Sequence, residues 1–275
     1  MARSDTMAAN ATRTTRGPSG REGLKLRLRR RLHAVLRAAL HLRSRRYAPP
    51  PGYDPVTLVI APHEDDDVLG CGGLMARKRL EGLRVHVAYL TDGSGSHPGH
   101  PVLTPEQLAG LRQTEARAAL RLLGVDSAEV TFLGVRDGML DCLTPAQAGA
   151  LCARLTELIG RVRPDEILLP CRRDGSTEHE AAFRLVQASL AGTGLAPRLL
   201  EYVVWAWWSP RLLARRLLTS RRVWRLDFSG YEQIKRAALL QHRSQLEPTP
   251  PWARPVLSPA FSSFFLRPVE YYFQS

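Results

Sequence analysis

The residues best equipped for chemistry stand together in Ala61-Pro62-His63-Glu64-Asp65-Asp66-Asp67, followed by Val68-Leu69-Gly70-Cys71-Gly72-Gly73. An imidazole three residues ahead of a carboxylate, as in His63 and Asp66, can chelate one cation across a tight turn, and mixed nitrogen and oxygen donors suit zinc. A neighbouring carboxylate that does not ligate is then available as a base toward water. An acidic run ahead of a helix also has a plainer use, capping the helix and complementing its dipole. The glycines admit a dinucleotide fingerprint, but Met75 stands where the third glycine of Gly70-x-Gly72-x-x-Gly would fall. A second cluster, Asp174-Gly175-Ser176-Thr177-Glu178-His179-Glu180, runs into a helical pattern through Ala188.

These clusters need a scaffold that delivers them to one place. From residue 56 onward, short apolar runs alternate with longer helical patterns, as a mostly parallel sheet with crossover helices requires. The strand candidates are Thr57 to Ala61, Val85 to Leu90, Glu129 to Leu133 and Glu166 to Leu169. Thr104-Pro105 and Thr144-Pro145 each place a capping hydroxyl before a first-turn proline, with Glu106 adding charge at the first of these starts. Leu199 to Trp205 and Val223 to Phe228 are further strand candidates, and Tyr231 to Gln245 has a helical pattern. Both polar clusters follow the carboxyl end of a strand, where open α/β sheets bind ligands. Strands of one parallel sheet end on one side, so His179 can complete a His63, Asp66, His179 set with an open position for water.

The chain has 275 residues, 44% hydrophobic content and a net charge of +13, enough for one full domain with an appendage. Residues 1–46 carry thirteen Lys or Arg against Asp5 and Glu22, so the charge is confined to one end. That distribution speaks against a nucleic-acid groove and for a local device aimed at an anionic surface. Residues 1–22 read as a disordered basic tail, 23–46 as a basic amphipathic helix, 47–53 as a Pro-rich linker and 54–275 as the catalytic domain. Residues 24–46 combine Leu28, Leu32, Val35, Leu36 and Leu40 with surrounding arginines, the character of an interfacial anchor for an anionic membrane. Trp205, Trp207 and Trp208, ahead of Arg211, Arg215 and Arg216, form a candidate second contact. Four separated cysteines, Cys71, Cys142, Cys152 and Cys171, suggest neither a disulfide framework nor a thiolate knuckle, consistent with a cytoplasmic protein, at most peripheral at the inner membrane face. Oligomeric state is not written in the sequence.

At this point the residues resemble the PIG-L/LmbE-like zinc deacetylases, whose first signature reads approximately APHPDDEVLGCGG where this chain has APHEDDDVLGCGG. Supporting similarities are Thr91-Asp92-Gly93-Ser94-Gly95, Phe132-Leu133-Gly134 with Asp137-Gly138, Arg163-Pro164-Asp165, and Lys235 to Gln245. The resemblance implies a Rossmann-like three-layer α/β fold and removal of an acetyl group from N-acetylglucosamine-type amines on lipids, thiol precursors or natural products. It makes His63, Asp66 and His179 ligands of Zn2+, or of another divalent transition metal, and Asp65 the general base. It also gives Asp92, Arg112 and His242 substrate-orienting positions. Glu64 replaces the family's proline and Asp67 its glutamate. A larger departure is Ser176, which stands where the second signature, His-x-Asp-His, carries its first histidine. His97 and His100 stand in a Gly/Ser/Pro-rich loop that reads first as a mobile surface loop, with a loop covering the site and either histidine replacing that proton donor as the alternative. A non-catalytic carbohydrate- or lipid-binding protein retaining the metal pocket is the alternative.

Overall fold

The computed structural model describes residues 20–48 and 55–274, with side chains from residue 31 onward. The tail 1–22 and the linker 47–53 therefore lie largely outside the described residues. Gly20 to Glu22, within them, open helix α1 (Gly20–Arg43).

Eight strands among the described residues form one sheet: β1 (Arg45–Arg46), β2 (Thr57–Ala61), β3 (Val85–Thr91), β4 (Val130–Val135), β5 (Glu166–Pro170), β6 (Arg198–Tyr202), β7 (Arg222–Asp227) and β8 (Val269–Gln274). Their spatial order is β1-β7-β8-β6-β5-β2-β3-β4. Every pair from β4 through β3, β2 and β5 to β6 is parallel, whereas β8 runs antiparallel between β6 and β7. The parallel run winds outward from β2 on one side and from β5 on the other. That is the Rossmann order, and its switch point lies between β2 and β5.

Helices cover both faces: α2 (Asp66–Leu80), α3 (Pro105–Leu122), α6 (Pro210–Thr219) and α7 (Glu232–Leu239) on one, α4 (Pro145–Val162) and α5 (Thr177–Ala191) on the other. Strand alternation divides the core accordingly. Val59 and Ala61 of β2 face the first layer, while Leu58 and Ile60 face the second. The starts of α3 and α4 carry full capping boxes, Thr104 with Gln107 and Thr144 with Gln147, each with proline in the first turn. The helical pattern from Tyr231 to Gln245 is interrupted at Leu240–His242, leaving α7 and the short α8 (Arg243–Leu246).

The glycines behind the acidic run have a packing reason. A β-carbon at Gly70 would lie 2.3 Å from Tyr202 Cδ2, and one at Gly73 would lie 2.4 Å from Phe228 Cδ1. These close approaches let α2 press onto the sheet and fix the turn before it. Tyr202 is itself held, donating from its hydroxyl to the Ile60 carbonyl at 2.8 Å. Gly70→Ala gains up to ~1 kcal/mol of helix propensity but overpacks a rigid contact at a cost of ~1–3 kcal/mol. A thermal melt should therefore show Tm falling by several degrees, and an unchanged Tm would mean that α2 does not rest on Tyr202.

Helix α1 belongs to the same core. Leu36 and Leu40 are buried in the first layer, and the helix packs against α6 and β7. Arg43 donates to the carbonyls of Leu217 and Ser220, and β1 pairs with β7. Tyr47 follows, donating to Glu166 Oε1 at 2.6 Å within a buried group that also contains Lys78 and Thr57. Part of the apolar stripe read as a membrane anchor is thus occupied by the protein's own core.

Candidate metal centre and active site

Strand β2 ends at Ala61, and the turn Pro62–Asp65 brings His63 over the switch point before α2 begins. Strand β5 ends at Pro170, and the loop through Asp174 brings His179 into the first turn of α5. Asp65 occupies the N-cap position of α2 yet makes no capping hydrogen bond. Its Oδ1 instead accepts from Arg112 Nη2 at 3.1 Å. The acidic run is therefore not spent on capping through Asp65.

Among the described residues, two groups have the composition and spacing to hold an ion: His63, Asp66 and His179, and His63, Asp137 and Glu178. In the first, Asp66 Oδ2 lies 3.0 Å from His63 Nδ1 and 3.3 Å from His179 Nε2. Donors on a tetrahedral zinc with bonds of ~2.0–2.1 Å stand ~3.3 Å apart, so the set fits such an ion. His179 Nε2 is buried, and its 3.3 Å contact with Asp66 Oδ2 is not aligned as a hydrogen bond, which leaves a ligand position that a metal between the two would satisfy. In the second group the outer atoms are already engaged. Glu178 Oε1 accepts from the amides of Gly138 and Leu140 at 3.0 and 3.1 Å, and Asp137 Oδ2 accepts from Gly95. Glu178 Oε2 and Asp137 Oδ1 sit 2.9 and 3.3 Å from His63 Nε2, where they fix the ring and leave Nδ1 toward Asp66.

Burial works against a charged imidazole, but Asp137, Asp66 and Glu178 outweigh it and hold His63 well above its ordinary range. Burial is likewise outweighed at His179, which Asp66 and Asp174 push up to about 9. The cluster thus favours positive charge between these groups, either as protons or as a cation that displaces them. Burial raises Asp65, with Arg112 opposing it.

Asp174 is the residue that sequence reasoning left without a role. Fully buried, it accepts from His179 Nδ1 at 2.7 Å and from the amides of Val204, Trp205 and Ala206 at 2.9–3.1 Å. It joins the imidazole to the wall of the site and sets the tautomer that presents Nε2. Asp174→Asn should weaken zinc binding ~10–100-fold in chelator competition, and an unchanged affinity would deny it this part.

A cavity of about 180 Å3 opens over the cluster, lined among others by His63, Asp65, Asp66, Arg112, Trp205 and Leu257. Arg112 enters from α3, its Nη1 3.8 Å from Asp137 and its Nε 3.4 Å from the buried Glu64. Asp92 and His242 do not line the cavity. Asp92 Oδ1 accepts from the amides of Ser94 and Asp137, both at 3.0 Å, and so braces the two loops. His242 is buried behind Arg112, and burial together with that guanidinium pushes it down to about 3. Ser176 caps α5, accepting from the His179 amide at 3.4 Å. His97 and His100 also stand outside the lining; their rings lie 5.3 and 4.9 Å from Trp252.

A Rossmann-type sheet with a His–Asp–His cluster and a free carboxylate at its switch point suits a metal-assisted hydrolase. Residues 58–190 match the family model described as PIG-L, GlcNAc-PI de-N-acetylase, and this match together with the deacetylase relatives supports a PIG-L/LmbE-like deacetylase family. It is 24% identical over 189 residues to the uncharacterized deacetylase YaiS of Escherichia coli, covering 68% of this chain and 90% of that one. It is 29% identical over 170 residues to the 1D-myo-inositol 2-acetamido-2-deoxy-alpha-D-glucopyranoside deacetylase of Actinosynnema mirum, covering 54% of this chain and 59% of the relative. The chain thus spans less than two thirds of the latter. In fold it is similar to the N,N'-diacetylchitobiose deacetylase of Pyrococcus horikoshii, with a TM-score of 0.56 at 20% identity over 85% of this chain and 82% of the other.

Proposed function

We propose that this protein hydrolyses the acetamide of an N-acetylglucosamine-type sugar carried on a lipid, a thiol precursor or a natural product, with zinc or a similar divalent ion held by His63, Asp66 and His179. The observation that supports this most is the buried Nε2 of His179 facing Asp66 beside the uncapped carboxylate of Asp65. A zinc ion in such a set supplies a Lewis acid for the amide carbonyl and lowers the pKa of water to ~7.

The chain's own groups do the rest. Asp65 takes the proton from the attacking water, while Arg112, bonded to Oδ1, fixes the direction of the other oxygen. Leu69, Val204, Trp205 and Leu257 give the cavity an apolar wall against which the acetyl methyl and sugar face can pack. With serine at position 176, Asp65 returns its proton to the departing amine, serving as base and then acid. The proposed setting is the cytoplasm or the inner face of an anionic membrane; no helix among the described residues is long and apolar enough to cross a bilayer.

Purified zinc-loaded protein should release acetate when screened across N-acetylglucosaminyl lipids, thiol-sugar precursors and free N-acetyl amino sugars. Stoichiometric zinc with no turnover on any of them would favour a carbohydrate- or lipid-binding protein.

A further inference from the structure

Two segments far apart in sequence share an unusual composition. Residues 23–53 contain nine Lys or Arg and no Asp or Glu, and residues 202–226 contain six Arg and again no acidic residue. The fold places their described helices, α1 and α6, side by side. Helix α1 packs on α6, and Arg43 in the last turn of α1 binds the Leu217 and Ser220 carbonyls at the end of α6.

Each helix keeps one face for the core and turns another outward. In α1, Leu36 and Leu40 are buried, whereas Leu32, Val35 and Leu42 are 46%, 64% and 86% exposed. Arg31, Val35, Ala38 and Leu42 are exposed at spacings of four, three and four residues, a second stripe distinct from the packed one. In α6, Arg211, Arg215 and Leu218 are exposed at spacings of four and three, with Leu218 77% exposed. Leu42 and Leu218 each adjoin the Arg43 clamp. The surface also continues to the site: Trp205 lines the cavity, Trp208 is exposed at the other end of the same turn, and α6 starts two residues later. Phe261 bridges them, 5.0 Å from the Trp205 ring and 5.9 Å from Trp208.

We propose that the outward faces of α1 and α6 form one platform that docks on an anionic lipid bilayer, with the mouth of the cavity beside the headgroups. Charge decides the occupant. A second copy would set the same net-basic surface against itself, and repulsion would oppose the contact. Nucleic acid would satisfy the arginines but leave the leucines and valine nothing apolar to enter. An anionic bilayer answers both, drawing the arginines to its headgroups and taking the apolar stripe into the acyl boundary. The use of this platform to reach lipid-linked amino sugars rests on the deacetylase reading; the docking itself does not.

Because α1 contributes to the core, its removal would perturb the fold, and point substitutions on exposed residues are the cleaner probe. Full-length protein should float with phosphatidylcholine vesicles containing phosphatidylglycerol and remain behind with phosphatidylcholine alone. The triple variant Leu32→Glu, Val35→Glu, Leu42→Glu should keep its Tm and lose vesicle affinity by about tenfold or more, and Leu218→Glu should lower it independently. Binding that is unchanged in these variants, equal binding to both vesicle types, or a dimer in light scattering that the triple variant dissolves would each overturn the proposal. Vesicle binding is read without substrate, so its failure would leave the deacetylase reading intact, and absent turnover would leave the docking intact.

Discussion

Asp65→Asn should retain stoichiometric zinc and a native Tm while acetate release falls ~10²–10⁴-fold, the usual contribution of a positioned general base. Asp65 makes no capping bond to α2, and its described polar contact is with Arg112, so the amide replacement disturbs neither the helix start nor the three donor atoms. An amide oxygen can still accept from Arg112 Nη2, which preserves the geometry and removes the proton acceptor. Because Ser176 replaces the first imidazole of the second signature, the proposed mechanism gives Asp65 both proton transfers, and the loss should appear in kcat as well as kcat/KM. A mutant of full activity would remove Asp65 from the mechanism.

Loss of the ion should have an effect of similar or greater size. Chelation should lower acetate release by ~10³-fold or more, since several kcal/mol of charge stabilisation go with the metal. Added zinc should restore it in the wild type but not in His179→Ala. The imidazole of His179 is fully buried between Asp66 and Asp174, and its removal leaves both carboxylates facing a void. A circular-dichroism melt on the variant separates a lost ligand from a lost fold, and Asp66→Asn, closer in shape, gives a second route to the same measurement. Chelator-resistant activity would contradict a metal-dependent reaction.

Much of this site was legible before the fold was known, for identifiable reasons. Strand β2 is a fully buried apolar run, so its end at Ala61 and the cluster beyond it stand out. The cap signals at Thr104 and Thr144 are local chemistry, and both helices begin there. His63 and His179 fell together because parallel strands end on one side, a rule that needs only strand order. Asp174 stayed hidden because its partners at 204–206 arrive from the far side of β6, a relation with no sequence period. The antiparallel β8 was missed because Val269–Gln274 lies inside an aromatic and charged stretch without clean alternation, Glu270 being buried by its bond to Lys235. The amphipathic pattern of α1 was visible. That it carries two apolar stripes, one for the core and one outward, emerges only when α6 and β7 are placed against it.

The proposed centre is a single ion held by two imidazoles and one carboxylate at the β2–β5 switch point. Zinc-edge X-ray absorption on protein loaded with one equivalent of zinc tests it directly. The spectrum should fit two imidazole nitrogens with carboxylate and water oxygens at ~2.0–2.2 Å, without sulfur, and should lose one imidazole in His179→Ala. A zinc shell with one imidazole in the wild type, unchanged in His179→Ala, would place the ion on His63, Asp137 and Glu178 and contradict the assignment.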